Sequence, residues 1–189
     1  MKKISLLAFV FLLSFSVGSI TKVLAGIYLD TGAKWRDPST VYYLNASKEY
    51  PTYVNDAALY YWNNYTNAIN YVKTNDATIQ KKVLVYDVDM AGLSWDGQAV
   101  HWQDGAGYFS KAEIKLNKPK IENYINLGYS KSQVENIRYR VATHELGHTV
   151  GLGDLTESYE SDKLMYGWTR PTPYAPTYTD LMRLADLYK

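Results

Sequence analysis

The eleven residues His144-Glu145-Leu146-Gly147-His148-Thr149-Val150-Gly151-Leu152-Gly153-Asp154 constrain this chain more than any other stretch. Residues four apart on an α-helix lie one above the other, so His144 and His148 present two imidazoles to a single point. That pairing is a clamp for a metal ion, zinc first among them. Glu145 follows the first imidazole by one position, which swings its carboxylate off the metal axis but keeps it near a water in an open coordination position. Gly151 lets the chain leave the helix through a left-handed turn that most side chains resist, and so returns Asp154 towards the clamp as a third ligand. Glu157 and Glu160 are the alternative third ligands on spacing alone.

The pattern HExxHxxGxxD resembles the long zinc-binding motif of the metzincin metallopeptidases, and HELGHTVGLGD is most like the matrixin branch. An aspartate at position 154, where most of that clan carries histidine, is similar to the snapalysin-like minority. Leu164-Met165-Tyr166-Gly167 resembles the Met-turn that lies beneath the zinc in this clan. The resemblance implies an α+β, zincin-like (metzincin) domain. A twisted mixed β-sheet would pack on an N-terminal helix and an active-site helix, with a short C-terminal helix after them. It also implies Zn²⁺ held by His144, His148 and Asp154, Glu145 as general base, and Met165 and Gly151 in support. Tyr166 is a further candidate, either as a hydrogen-bond donor to a reaction intermediate or as packing.

Met1-Lys2-Lys3, the apolar run Ile4 to Ile20 and Val23-Leu24-Ala25 before Gly26 read as a secretory signal ending at a small-residue cleavage site. An uncleaved anchor is the alternative, opposed by Ser14, Ser16, Gly18 and Ser19 inside the apolar run. Cleavage leaves residues 26–189 as one catalytic domain in a secreted, extracellular protein with no stable membrane association. It removes Lys2, Lys3 and Lys22 from 20 basic residues and leaves the 19 acids untouched, so the remainder is slightly acidic. Nucleic acid is excluded as a partner because phosphate neutralisation needs clustered Lys and Arg. The absence of cysteine removes disulfides and thiol nucleophiles, so stability must come from the core. The expected partner is a protein or peptide substrate, and the expected state a monomer.

Periodicity places a strand at Val41–Leu44, a helix from Thr52 to about Ile69, and a buried strand at Val83–Val88. Met90 to Phe109 reads as a glycine-rich loop, and Ala112–Asn117 as an alternating strand. In a metzincin-like arrangement that last strand would border the cleft and offer its edge to an extended peptide. Ser130 and Ser132 are candidate caps of the active-site helix, Ser132 with Glu135 fitting a capping box. Val134, Ile137, Val141 and Thr149 face the core, and Arg138 and Arg140 point elsewhere. Leu155 to Tyr178 is irregular, and Thr179 would cap a last helix over Asp180–Leu187. The 19 tyrosines and 5 tryptophans suit sheet packing or an aromatic substrate surface.

Asp87, Asp89, Asp96 and Asp104 lie among glycines and offer oxygen ligands for Ca²⁺, which matrixin-like domains often bind in the corresponding region, as they do a second zinc. His101 is a ligand candidate there or a surface-loop histidine. Two readings from other classes compete with a zinc endopeptidase. One is a non-haem iron enzyme, since two His and a carboxylate form a facial triad. The other is a catalytically inactive zinc-containing binding protein of the same fold, against which Glu145 argues.

Overall fold

The computed structural model describes residues 32–189, so the expected signal segment, Met1 to Ala25, lies outside the described residues. The strands are β1 (Val41–Asn45), β2 (Tyr71–Lys73), β3 (Val83–Val88), β4 (Gly97–Gln103) and β5 (Phe109–Asn117), in the sheet order β2-β1-β3-β5-β4. All neighbours are parallel except β4, which runs antiparallel to β5. The α-helices are α1 (Pro51–Asp56), α2 (Lys118–Glu122), α3 (Lys131–Thr149) and α4 (Tyr178–Leu187).

Alternate residues of each strand share a face, and the register aligns the apolar ones. Val83 stands beside Tyr43 and Ala112, and Ile114 beside Val85 and Ala99. Buried Val41, Tyr43, Val83, Val85, Ala112, Ile114 and Leu116 form one floor of the core, and the helices form the other. Lys111, Glu113 and Lys115 occupy the opposite, more exposed face of β5.

Several sequence expectations need correction. The stretch Met90 to Phe109, expected as a loop, contains β4, whose alternation is blurred by Gly97, Gln98 and Ala99. Ala112–Asn117 is expected to offer an edge, but β5 is paired on both sides, by β3 and β4, and β4 is the edge strand on that side among the described residues. The helix expected to reach Ile69 stops earlier: after α1 it widens into a π-type stretch over Ala57–Trp62, where Asn63 N–H donates to Ala58 O, five residues back. The cap of α3 is Ser130 with Gln133, not Ser132 with Glu135. Helix α4 starts at Tyr178, capped by Thr177 rather than Thr179. Val88 and Tyr86 of β3 are only half-buried, because one face of the sheet has no helix over it among the described residues.

Three aromatic side chains from outside α3 lock that helix in place. Trp62 Nε1 donates to Thr143 O at 2.9 Å, the Tyr71 hydroxyl to Leu146 O at 2.6 Å, and Trp35 Nε1 to Thr149 O at 2.8 Å. Trp62 and Tyr71 are almost wholly buried, so each joins a large apolar contact area to one directed polar bond. Losing the Trp62 ring alone would be expected to cost about 3–5 kcal/mol.

At the other end of α3, Arg138 grips Glu122 through Nε to Oε1 at 3.0 Å and Nη2 to Oε2 at 2.5 Å, while the Tyr50 hydroxyl donates to Oε1 at 2.9 Å. Burial alone would raise the Glu122 carboxyl, but Arg138 and Tyr50 outweigh it and hold the group below its ordinary value of 4.5. The folded state therefore resists protonation of Glu122. Its contribution is complete above the ordinary carboxylate range and is lost as pH falls through the lowered folded value. Thermal midpoints between about pH 6 and 3 should fall less steeply for Glu122→Gln than for the wild type; parallel slopes would contradict this.

Candidate metal centre

The metal centre begins with the imidazoles of α3. His144 Nδ1 bonds Leu164 O at 2.9 Å and His148 Nδ1 bonds Leu152 O at 2.8 Å. A carbonyl only accepts, so each Nδ1 carries its proton outwards and each Nε2 turns towards the other. The two Nε2 atoms are 3.0 Å apart, and Asp154 Oδ1 lies 3.0 Å from His144 Nε2 and 3.3 Å from His148 Nε2. Ligands on one tetrahedral ion at about 2.0–2.1 Å are spaced by about 3.3 Å, so the triangle fits a zinc-sized cation. The structure thus brings together the three expected ligands, and this group can bind a metal.

Asp154 reaches the imidazoles through a short turn. Gly151 adopts φ +101°, and a Cβ there would lie 2.4 Å from Ala33 O and 2.5 Å from Leu187 Cδ2, so both conformation and space require glycine. Leu155 N–H then donates to Met165 O at 2.7 Å and Gly167 N–H to Leu155 O at 3.0 Å, pinning Asp154 beside the turn that carries Met165. Burial raises the Asp154 carboxyl, but the facing imidazoles dominate and hold it well below the carboxylate range. Burial lowers His148, yet Asp154 overrides it and lifts the imidazole to about 9. Each shift has the other group as its cause: the carboxylate favours the protonated imidazole, and the imidazoles favour the ionised carboxylate.

Glu145 is buried beside this triangle, and its Oε2 has no hydrogen-bond partner among the described residues. A Cβ on Gly97, the first residue of β4, would lie 2.6 Å from Glu145 Cγ and Oε1, so the carboxylate occupies space that any other residue there would fill. Burial raises its pKa, the histidines counter it, and Asp154 and Asp96 raise it further.

No protein-family model matches the sequence, and no curated protein matches it. Solved structures do match. A structure of myroilysin, 13% identical, superposes with a TM-score of 0.53 over 85% of this chain and 84% of that one. A crystal structure of myroilysin, also 13% identical, gives a TM-score of 0.48 over 86% and 88%. The fold is zincin-like. At such identity the likeness speaks for the fold, and the chemistry rests on the residues above.

Within this zincin-like fold Met165 is fully buried, and a Cβ on Gly147 would come 2.5 Å from its sulfur. The thioether is therefore seated against α3 in the turn between His144 and His148, where glycine permits the approach. Tyr166 is buried under the Arg170 guanidinium, 5.5 Å from its ring centroid, and no hydrogen bond ties its hydroxyl to the metal triangle. Glu157 and Glu160 cap one another on the surface and take no part.

Arg140, expected to point away from the core, is instead buried, and donates to Pro173 O at 2.6 Å and Tyr166 O at 2.9 Å. Asp180, buried in α4, accepts from Leu164 N at 3.1 Å and Met165 N at 3.2 Å. The sequence marked neither as part of the site, because both act across long chain separations on backbone groups. His101 lies on β4 with its ring centroid 4.7 Å from that of Phe109, and burial followed by the field of His148 lowers its pKa.

Among the described residues the calcium candidates do not converge. Asp87 accepts from Ser47, Lys48 and Glu49, and Asp104 closes its own turn with Ala106 and Tyr108. Asp154→Ala should weaken zinc binding by more than about a hundredfold in chelator competition, while Glu157→Ala and Glu160→Ala leave it within about threefold. Tight zinc binding by Asp154→Ala would place the third ligand elsewhere.

Proposed function

We propose that this protein is a secreted zinc-dependent endopeptidase, resembling the metzincin clan in its motif, matrixin-like and with a snapalysin-like aspartate. The observation that carries this reading is the pairing of a buried three-atom ligand triangle with a buried carboxylate, Glu145, that has an unpartnered oxygen and is no ligand. A buried carboxylate without a partner is costly to the fold, and proton transfer beside the ligand triangle gives Glu145 a task that offsets that cost.

When bound, zinc supplies Lewis acidity towards a peptide carbonyl and lowers the pKa of a water to about 7. Glu145 would take the proton from a water whose oxygen bonds to the carbonyl carbon. The same proton passes to the amide nitrogen as the C–N bond breaks, so the amine leaves neutral. Burial raises the Glu145 carboxyl, which suits a group that must both accept and return a proton. Strand β4 is bonded to a neighbour on one side only among the described residues, so an extended peptide can pair with its other edge and present its backbone to Glu145.

The unpartnered Glu145 oxygen also weighs against an inactive binding protein. An iron facial triad gives that carboxylate no task. The reading includes a removed signal at 1–25, a catalytic domain over 26–189, and a monomer acting on proteins or peptides outside the cell. Among the described residues no helix is long and apolar enough to cross a membrane.

Glu145→Ala should retain stoichiometric zinc by elemental analysis while losing at least about a hundredfold in peptide hydrolysis. Gly97→Ala should likewise keep zinc and lose activity, because its methyl group enters the space of the Glu145 carboxylate. Full turnover in Glu145→Ala would remove this residue from the mechanism.

A further inference from the structure

Arg140 closes a short loop beside the metal centre. Its guanidinium donates to Tyr166 O at 2.9 Å and to Pro173 O at 2.6 Å, so one buried cation holds both ends of residues 167–172. The loop starts against the third ligand. A Cβ on Gly167 would come 3.3 Å from Asp154 Cγ, and Gly167 N–H is bonded to Leu155 O at 3.0 Å. Side chains on a loop anchored in this way are displayed at fixed places next to the metal triangle.

The alternate positions 166, 168 and 170 carry Tyr, Trp and Arg, the three residue types that contribute most at binding surfaces. Tyr166 is buried, Trp168 is 68% exposed, and the exposed Arg170 lays its guanidinium over the Tyr166 ring at 5.5 Å from the centroid. Among the described residues no carboxylate or carbonyl pairs with Arg170. The other cations of this region are engaged: Lys163 with Asp162, Arg183 with Gly153 O, and Arg140 with the carbonyls that it grips. Arg140 and Arg170 repel one another, and Asp180 supplies a counter-charge to Arg140. The outer guanidinium thus offers a planar fork of donors to solvent beside a second positive charge, an arrangement that a carboxylate relieves. An extended peptide advances about 3.3 Å per residue, so a side chain a few positions from a carbonyl held at the metal triangle is within reach of a guanidinium three residues beyond Gly167.

We propose that Arg170 is a specificity determinant that binds the carboxylate of an aspartate or glutamate side chain in the peptide substrate, with the Trp168 indole as a neighbouring apolar contact. The inference rests on the endopeptidase reading for its substrate class, but peptide binding tests it without cleavage.

The experiment uses zinc-loaded protein and a set of peptides in which one position at a time carries glutamate, glutamine or lysine. Wild-type kcat/KM, and Kd measured by anisotropy on zinc-loaded Glu145→Ala, should favour glutamate over glutamine at one position by at least about fivefold. Arg170→Gln in each background should bring those two peptides within about twofold of one another, and Arg170→Glu should favour lysine at the same position. Lys131→Gln, which removes an exposed charge at the start of α3 about 20 Å from His144, should keep the glutamate preference. Equal treatment of glutamate and glutamine by the wild type, a preference that survives Arg170→Gln, an equal loss in Lys131→Gln, or no binding of any peptide overturns the proposal. Cleavage without an acidic preference leaves the endopeptidase reading standing alone. If peptides bind with an Arg170-dependent glutamate preference and are never cleaved, the acidic-side-chain site stands and the endopeptidase reading falls.

Discussion

Two backbone carbonyls, those of Leu164 and Leu152, decide what this molecule can do. By accepting the Nδ1 protons of His144 and His148 they leave each imidazole one nitrogen to offer, and fix the direction in which it is offered. Asp154 then adds an anionic oxygen at the same point, so a buried cluster of acceptors exists whose repulsion only a cation or protons relieve. Much of the remaining architecture serves that arrangement. Trp35, Trp62 and Tyr71 immobilise the helix through bonds to its carbonyls. Arg140 and Asp180 tie down the irregular segment on the other side, and glycines at 97, 147 and 151 clear the space for approach.

The centre was legible in the sequence because its information is local. A four-residue spacing on a helix, a glycine stop and an aspartate three positions later depend only on backbone geometry, and the structure brings those residues together as that geometry requires. The parallel strands β1 and β3 were legible for a similar reason, since β-branched and apolar runs declare themselves. The edge strand β4 did not, because Gly97, Gln98 and Gln103 dilute its alternation and its identity as a strand depends on β5 supplying hydrogen bonds. The end of the first helix was misread because the apolar stripe continues past Trp62 into Ile69, which is buried after the chain has already turned.

The supporting groups were illegible for a different reason. Arg140 on a helix reads as a solvated cation until the carbonyls of residues 163, 166 and 173 are known to surround it. Asp96 reads as a calcium-type ligand until its neighbours prove to be a tyrosine hydroxyl and a glycine beside Glu145. In both cases the polar side chain is explained by what lies far away in sequence, and pattern along the chain carries no record of it.

The bonds from Asp180 to the amides of Leu164 and Met165 also set an order of events in time. Once α3 has formed, a growing chain displays its two histidines, but the carbonyl that aims His144 sits in a turn held by α4. Until residue 180 has emerged and docked, His144 lacks that fixed bearing, whereas His148 is already aimed by Leu152 O. An ion that needs both imidazoles aimed at one point would therefore be held firmly only late in folding.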